Sequence, residues 1–195
     1  MTMPELARTS RLGYTEEQTR HSDGMSPILK STATFSPCRT YRYSLWRRWG
    51  TQEQGYAMFI GLNPSTADEV EDDPTVRRCI QFAKDWGYGA LCMTNLFAFR
   101  ATDPAVMKAH SEPIGPDTDA VLAELAKNAG VVVAAWGNHG SHSARDQQVI
   151  ALLPNLHCLK VTKAGQPSHP LYLRKSLTPT RYDLSNREST PRNSQ

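Results

Sequence analysis

The sequence contains few cysteines, and none of them is spaced like a metal ligand. The four residues, which form no CxxC pair, are Cys38, Cys79, Cys92 and Cys158. Neither a zinc site nor an iron–sulfur cluster is therefore indicated. Cys92 and Cys158 fall inside apolar runs, which favours small core residues. His139 and His142 have no third ligand at a suitable spacing, so we expect no metal and no cofactor.

The sequence also lacks a signal peptide, an apolar run long enough to span a membrane, and any internal repeat. The absence of a signal peptide and of a membrane span favours the reducing cytoplasm without attachment to a membrane. We also expect a monomer. A length of 195 residues suffices for one domain with a sizeable core. Residues 1–36 and 178–195 show no clear hydrophobic period, so we predict two loose tails around a domain at 37–177.

Charge is unevenly distributed along the chain, although the formal net charge is only +3. Residues 39–48 carry four arginines and no acidic residue, the chain is again mostly basic from Lys160 onward, and residues 51–130 are mainly acidic. A positively charged face of this kind could bind a polyanion such as nucleic acid. Ordinary solvated surface is the competing interpretation.

Short apolar runs alternate with helical patterns. Four of these runs are strand-sized, and they cover residues 56–60, 90–94, 131–135 and 157–161. Between them, Asp73-Pro74 and Asp103-Pro104 are typical of helix N-termini. The alternation predicts an α/β fold with a central four-stranded, mainly parallel sheet covered by helices. The segment 40–49 alternates between apolar and polar residues and predicts an additional antiparallel or edge strand.

Polar residues follow each predicted parallel strand. These segments are Asn63-Pro64-Ser65-Thr66, Asn95-Leu96-Phe97, Trp136-Gly137-Asn138-His139-Gly140 and the later His169-Pro170. Because the carboxyl ends of parallel strands meet at one edge of the sheet, we expect the segments to line one ligand site. Each residue alone has a simpler explanation, since asparagine before proline forms turns. Asp72 and Asp73 could likewise be an acid–base pair, although helix capping explains Asp73.

The order of these motifs resembles that of the uracil-DNA glycosylase superfamily. The motifs are GLNP at 61–64, MTN at 93–95, VVVAAWGNHG at 131–140 and SHPLYL at 168–173. More narrowly, the strings LNPSTAD, DDPT, NLF, AWG and HPLY resemble an uncharacterised bacterial and phage domain family. The resemblance covers roughly residues 38–175. It implies a three-layer α/β/α sandwich like that of the uracil-DNA glycosylases.

Carried over residue by residue, the resemblance implies two catalytic residues. Asn63 would position the attacking water, although many uracil enzymes have aspartate there, and His169 would hydrogen-bond the departing base. Whether Asn63 acts alone or with a carboxylate such as Asp68 or Asp73 stays open.

The resemblance also implies residues that bind the base and the DNA strand. Base-binding residues would be Asn95, Ser65 and Phe97, with Asn95 at the Watson–Crick edge of a flipped pyrimidine. Ser65 stands where uracil-specific relatives carry a bulky tyrosine, which leaves room for a substituent at C5. The DNA strand would be contacted by hydroxyl, basic and wedge residues, namely Thr66, Ser168, Leu171, Tyr172, Arg77, Arg78 and Arg174.

We therefore expect a monofunctional DNA glycosylase that flips out a uracil-like or C5-modified pyrimidine and hydrolyses its N-glycosidic bond. A hypermodified base of viral DNA is one such substrate, and the role is either repair or defence against foreign DNA. The expected partner is single- or double-stranded DNA. Two alternatives stay open: a hydrolase of free nucleosides or nucleotides, and a non-catalytic module that binds modified or single-stranded DNA.

Overall fold

The protein has a mixed α/β fold built on one sheet. The computed structural model describes residues 27–65 and 71–182, and within these ranges the sheet has seven strands. The strands are β1 (Lys30–Phe35), β2 (Arg42–Arg48), β3 (Tyr56–Gly61), β4 (Ala90–Asn95), β5 (Val131–Ala134), β6 (Leu156–Cys158) and β7 (Thr180–Arg181). The α-helices are α1 (Pro74–Asp85), α2 (Pro104–Ala109), α3 (Thr118–Lys127) and α4 (Arg145–Leu152).

The strand order is β1-β2-β4-β3-β5-β6-β7. The four strands predicted from the apolar runs, β4, β3, β5 and β6, lie side by side and are parallel. The other three pairings are antiparallel. The prediction of a four-stranded sheet is therefore wrong in strand number, since antiparallel strands extend the sheet at both edges.

The first antiparallel extension of the sheet is the pair of strands β1 and β2 on the N-terminal side. β2 forms within the segment 40–49 and is antiparallel to both β1 and β4, so it lies inside the sheet. β1 falls within residues 1–36, for which the sequence predicts a loose tail. Its residues are exposed or half-buried and show no hydrophobic period, so backbone pairing with β2, with Lys30 opposite Arg48, orders the strand.

The second addition corrects the predicted C-terminal tail. β7 pairs with β6, and the following Tyr182 is almost fully buried. The Tyr182 hydroxyl donates to the Gly165 carbonyl oxygen at 2.9 Å, and its ring packs edge-on against Trp136. One large buried aromatic side chain thus fixes the start of residues 178–195 to the domain. Residues 1–26 and 183–195 lie outside the described residues.

Helices cover the sheet on both faces. On one face α1 buries Val76, Ile80 and Phe82 against β3 and β4. On the other face α2, α3 and α4 bury Met107, Leu122 and Val149. Each fully buried side chain of this size contributes about 1.5–3 kcal/mol to folding. As expected, Cys92 and Cys158 are buried core residues. No helix in the two described ranges is long and apolar enough to cross a membrane.

The starts of α1 and α2 match the sequence signals. Asp73 accepts a hydrogen bond from the Val76 amide at 2.8 Å, and Asp103 accepts one from the Ala105 amide at 2.8 Å. Each carboxylate satisfies an amide that has no partner within its helix. The helix-capping interpretation of Asp73 is confirmed, and the cap fixes the α1 N-terminus beside the carboxyl ends of β3 and β4.

Candidate functional site

A cavity of about 410 Å³ opens at the carboxyl ends of β3, β4 and β5. The structure brings four predicted site residues together in its lining: Asn63, Ser65, Asn95 and His169. They come from the ends of β3 and β4 and from the loop after β6. The placement follows from the parallel strands, which direct their polar terminal segments toward one edge.

Asn95 is a buried residue of this pocket whose amide can form hydrogen bonds. It is the last residue of β4, is only 5% exposed, and lies opposite Gly61 in the parallel register. Its side-chain Nδ2 is buried and has no hydrogen-bond partner among the described residues. A buried amide donor without an acceptor costs about 1–3 kcal/mol, so a ligand carbonyl here would offset a cost already present in the fold.

Gly61 makes room for the Asn95 amide. A Cβ atom at position 61 would lie 2.9 Å from Asn95 Oδ1, closer than real Cβ contacts. Any larger residue would therefore displace the amide. Beyond the strands, the Leu96 amide donates to the Gly61 carbonyl oxygen at 2.9 Å and extends the β3–β4 pairing into the site.

Arg145 holds the turn that follows Asn95. Its guanidinium is almost fully buried, and Nε donates to the Leu96 carbonyl oxygen at 3.0 Å. The same side chain forms an ion pair with Asp119 on α3 and a hydrogen bond to Gln148 at 3.1 Å. The three contacts link α3 and α4 to the β4 terminus, which fixes the position of Asn95 in the pocket.

Asn63 is locked by its amide group. Nδ2 donates to the Ala101 carbonyl oxygen at 2.6 Å and to the Pro64 carbonyl oxygen at 3.1 Å. Both amide hydrogens are thereby used, so Oδ1 remains the acceptor of this side chain. An aspartate at this position could not donate to Ala101, which gives a structural reason for asparagine here. The fixed Oδ1 is suited to accept a hydrogen bond from water.

His169 forms another wall of the pocket. Its Nδ1 accepts a hydrogen bond from the Leu171 amide at 3.4 Å, which assigns the ring proton to Nε2 in the neutral form. Desolvation by the surrounding protein lowers the pKa of this imidazole, and the negative charge of Asp73 opposes that shift. The residue is exposed at the pocket, and the lowered pKa favours the neutral ring, which can donate a hydrogen bond.

The loop after β5 closes the pocket on the side of His169. Trp136 Nε1 donates to Gln166 Oε1 at 2.9 Å, and Gln166 Nε2 donates to Asp146 Oδ2 at 2.7 Å. Gly137 has φ +69°, and its amide donates to the Pro167 carbonyl oxygen at 2.9 Å. This buried polar network ties the Trp136–Gly137 turn to the segment that carries His169.

Arg42 is a pocket residue that the sequence reasoning missed. It is only 3% exposed and lines the cavity together with Asn95. The arginine-rich run at 39–48 indicated a basic surface, but β2 is buried on both faces around Arg42. The alternation of apolar and polar residues along the segment therefore did not indicate the direction of this side chain. Further lining residues that were not predicted are Thr75, Val76, Met93 and Pro104. Trp136, Gly137, Asn138 and His139 line the cavity as expected for the segment after β5, and Asp73 lines it as well.

Not every predicted base-binding residue lies in the pocket. Phe97 does not line it: the ring is completely buried in the core on the α2–α4 face and packs against the His142 ring, with centroids 5.7 Å apart. The structure therefore does not bring Phe97 into the pocket with the other predicted base-binding residues, since its side chain lies in the core after β4 ends. Thr66 and Asp68 lie outside the described residues.

The predicted DNA-contacting residues have different surroundings. Arg78 is used internally, since its guanidinium donates to the Leu173 carbonyl oxygen and stacks over Phe82. Arg77 is exposed, and its guanidinium donates to the Asp72 carbonyl oxygen. Tyr172 is 90% exposed at the tip of a 3-10 turn, Pro170–Tyr172, directly after His169. Of the remaining three, Arg174 is exposed, whereas Ser168 and Leu171 are half-buried.

The first basic segment is less exposed than the sequence suggested. Arg47 is 1% exposed, and its Nε donates to Asp72 Oδ1 at 2.7 Å. This ion pair joins Asp72 to β2, and Asp72, unlike Asp73, is not among the residues that line the pocket. Arg48 stacks on Trp46 at 4.4 Å and is half-buried. Within residues 27–65 and 71–182, no three His, Cys, Asp or Glu side chains are grouped so that they could hold a metal ion.

Comparison with known proteins identifies a family but no activity. Residues 42–171 match a family described as "Protein of unknown function (DUF1643)". The match spans the sheet from β2 to β6 and every residue named above in the pocket lining. No curated protein and no solved structure matches the chain.

Proposed function

The chain belongs to the DUF1643 family, and we propose that it is a DNA glycosylase acting on a uracil-like or C5-modified pyrimidine. The proposal includes the three-layer, uracil-DNA-glycosylase-like arrangement that the motif order implies. The pocket side chains Asn63, Asn95 and His169 support it, because they provide the hydrogen-bonding groups needed to bind a base and to hold a water molecule.

The buried Nδ2 of Asn95 is the observation that carries the proposal. It requires an acceptor that the described protein does not supply. A pyrimidine carbonyl oxygen is such an acceptor, and a cavity of about 410 Å³ accommodates a single base. A base within a duplex cannot reach this pocket, so it must be rotated out at a cost of a few kcal/mol.

Stabilisation of the leaving base is the next requirement. The C1′–N bond breaks heterolytically, its electron pair stays with the base, and the sugar becomes cationic. The Nε2–H of neutral His169 and the Nδ2–H of Asn95 would donate to the anionic base, and fixed donors of this kind contribute about 3–4 kcal/mol each. The buried guanidinium of Arg42 adds positive charge to the same lining.

Water completes the hydrolysis. Oδ1 of Asn63 would accept a hydrogen bond from the water and orient its oxygen toward C1′. An amide is not a base, so attack would follow an advanced bond cleavage in which the sugar cation is already strongly electrophilic. The water proton finally neutralises the departing base, and the products are a free base and an abasic strand.

A panel of labelled oligonucleotides tests the proposal. It carries uracil, thymine mismatches, 5-hydroxymethylcytosine or glucosylated cytosine in single and double strands, with alkali cleavage after incubation. Cleavage at one modified position supports a glycosylase and names its base. Activity on mononucleotides alone would replace the proposal with a nucleotide hydrolase. Base-specific binding without cleavage would replace it with a DNA-binding module.

A further inference from the structure

A second concave surface lies directly beside the base pocket. This groove has a volume of about 490 Å³ and is lined by Arg39, Thr40, Ser65, Phe99, Arg100 and Thr102. Ser65 lines both the groove and the base pocket. The two surfaces are therefore continuous across the Asn63–Ser65 segment.

The wall between groove and pocket is fixed by hydrogen bonds to the backbone. The Ala101 amide donates to the Pro64 carbonyl oxygen at 3.0 Å, and Asn63 Nδ2 donates to the Ala101 carbonyl oxygen at 2.6 Å. The Arg100 amide in turn donates to the Thr40 carbonyl oxygen at 3.1 Å. These bonds place the Arg100 segment and the Asn63 loop in one rigid unit.

Two guanidinium groups of this groove are arranged on one aromatic ring. The Cζ atoms of Arg39 and Arg100 lie 4.0 and 5.0 Å from the centroid of the Phe35 ring. Nη1 of Arg100 also donates to the Arg39 carbonyl oxygen at 3.2 Å. Stacking on Phe35 holds the plane of the Arg100 guanidinium, and a donor held in position loses less entropy when it binds an anion.

The charge of Arg100 is not neutralised by a carboxylate in the described ranges. Its Nε is buried there without a hydrogen-bond partner, and the two ranges contain no salt bridge from this residue.

Arg39 adopts φ +57°, a left-handed conformation that is destabilising for any residue other than glycine. The position nevertheless carries a side chain, and that side chain covers Phe35.

We propose that this groove binds a phosphodiester of the DNA strand next to the nucleotide whose base occupies the pocket. Phosphate oxygens accept hydrogen bonds from groups such as the Arg100 guanidinium edge and the hydroxyls of Ser65 and Thr102. The inference rests on the proposed function for the identity of the base. It adds the path of the strand, which runs from the pocket across Ser65 toward Arg100.

The test measures the salt dependence of DNA binding. A fluorescein-labelled, single-stranded 15-mer with one uracil is titrated with wild-type protein and Arg100→Gln between 50 and 200 mM salt, conditions under which phosphate contacts dominate the salt effect. We expect roughly tenfold weaker binding and a log–log slope shallower by about 0.7, the value for one phosphate contact on a single strand.

Two further variants serve as controls. Arg100→Lys keeps the charge but loses the planar guanidinium, so the slope should be retained while affinity falls. Arg181→Gln, at the opposite edge of the sheet on β7, should bind like the wild type. Thermal melting of each variant confirms that the domain is folded.

Each outcome separates the groove from the base pocket. If the slope of the salt dependence changes in Arg100→Gln and binding shows no preference for uracil over cytosine, the result supports the groove. The base panel tests the pocket separately. An unchanged slope in folded Arg100→Gln overturns the inference, whatever the glycosylase assay shows. Equal weakening of 2′-deoxyuridine monophosphate and the 15-mer also overturns it, because the groove would then bind a terminal phosphate.

Discussion

Gly61 and Asn95 face each other at the ends of two parallel strands, and the missing side chain of Gly61 leaves the space that the Asn95 amide occupies. Gly61 thus lines the pocket and also leaves room for the amide beside it. The orientation of the proposed base-reading group depends on one residue of the neighbouring strand.

Gly61→Ala is expected to lower kcat/KM by about tenfold, because the new methyl group displaces an amide worth about 1–3 kcal/mol of base recognition. The check is steady-state cleavage of the oligonucleotide identified by the base panel. In an Asn95→Ala background the same substitution should have little effect, since the displaced group is absent. Additive effects of the two substitutions would show that Gly61 acts independently of Asn95.

Asp73→Asn should move the acid limb of the pH–rate profile to lower pH. In the proposed mechanism neutral His169 is the active form, so activity should be full above the His169 pKa and should be lost as the pH falls through it. Burial places that pKa below its ordinary value of 6.5, and removal of the Asp73 charge lowers it further. Asparagine preserves the α1 cap.

The matched control for this profile is Asp103→Asn, which changes the equivalent cap of α2. Its acid limb should coincide with that of the wild type. A loss of kcat in Asp73→Asn at every pH would instead identify Asp73 as the base that activates water.

Ser65→Tyr should restrict the proposed glycosylase to pyrimidines without a C5 substituent. Ser65 lines the pocket, and a tyrosine ring there would fill the space proposed for the substituent. Relative cleavage rates of 5-substituted and unsubstituted bases provide the readout, with Ser65→Ala as the control that keeps the space. An unchanged substrate range in folded Ser65→Tyr would refute this role.

Gln166→Leu should destabilise the domain by about 2–4 kcal/mol, because it removes two buried hydrogen bonds, those with Trp136 and Asp146. At roughly 2–4 °C per kcal/mol, thermal melting should show a Tm about 5–15 °C lower. Gln147→Leu, on the exposed part of α4, should stay within about 0.5 kcal/mol of the wild type. Equal Tm values for the two variants would contradict the role of the network.

Cys38 should be the fast-reacting thiol among the described cysteines. Hydrogen bonds from the side chains of Ser36 and Thr40 lower its pKa to about 7, whereas burial raises the pKa of Cys79 and Cys92. Alkylation by iodoacetamide, followed by mass spectrometry, should show a rate midpoint near pH 7 at Cys38. Ser36→Ala should move that midpoint upward, and an unchanged midpoint would exclude this hydrogen bond as the cause.

The sequence was sufficient for features that depend on local patterns. Apolar runs located β3, β4 and β5 closely, and Asp-Pro pairs located the starts of two helices. The rule for parallel strand ends then brought Asn63, Asn95 and His169 to one rim. These features need no knowledge of distant partners.

The remaining features depend on contacts distant in sequence. β1 and β7 are ordered by pairing with β2 and β6, and short polar strands carry no hydrophobic signal for such pairing. Arg42 turns inward because β2 is covered on both faces. Phe97 lies outside the pocket. β4 ends two residues before it, and beyond the strand the alternation of side-chain directions no longer applies.

The most direct test of the central claim is the intact mass of an oligonucleotide after incubation with the protein. Each strand of the base panel is analysed by mass spectrometry, with wild-type protein and Asn95→Ala in parallel. We predict that one modified strand loses the mass of its base and gains a hydroxyl group with the wild type, at a rate at least tenfold higher than with Asn95→Ala. Unchanged strand masses across the whole panel with folded wild-type protein would contradict the assignment as a DNA glycosylase.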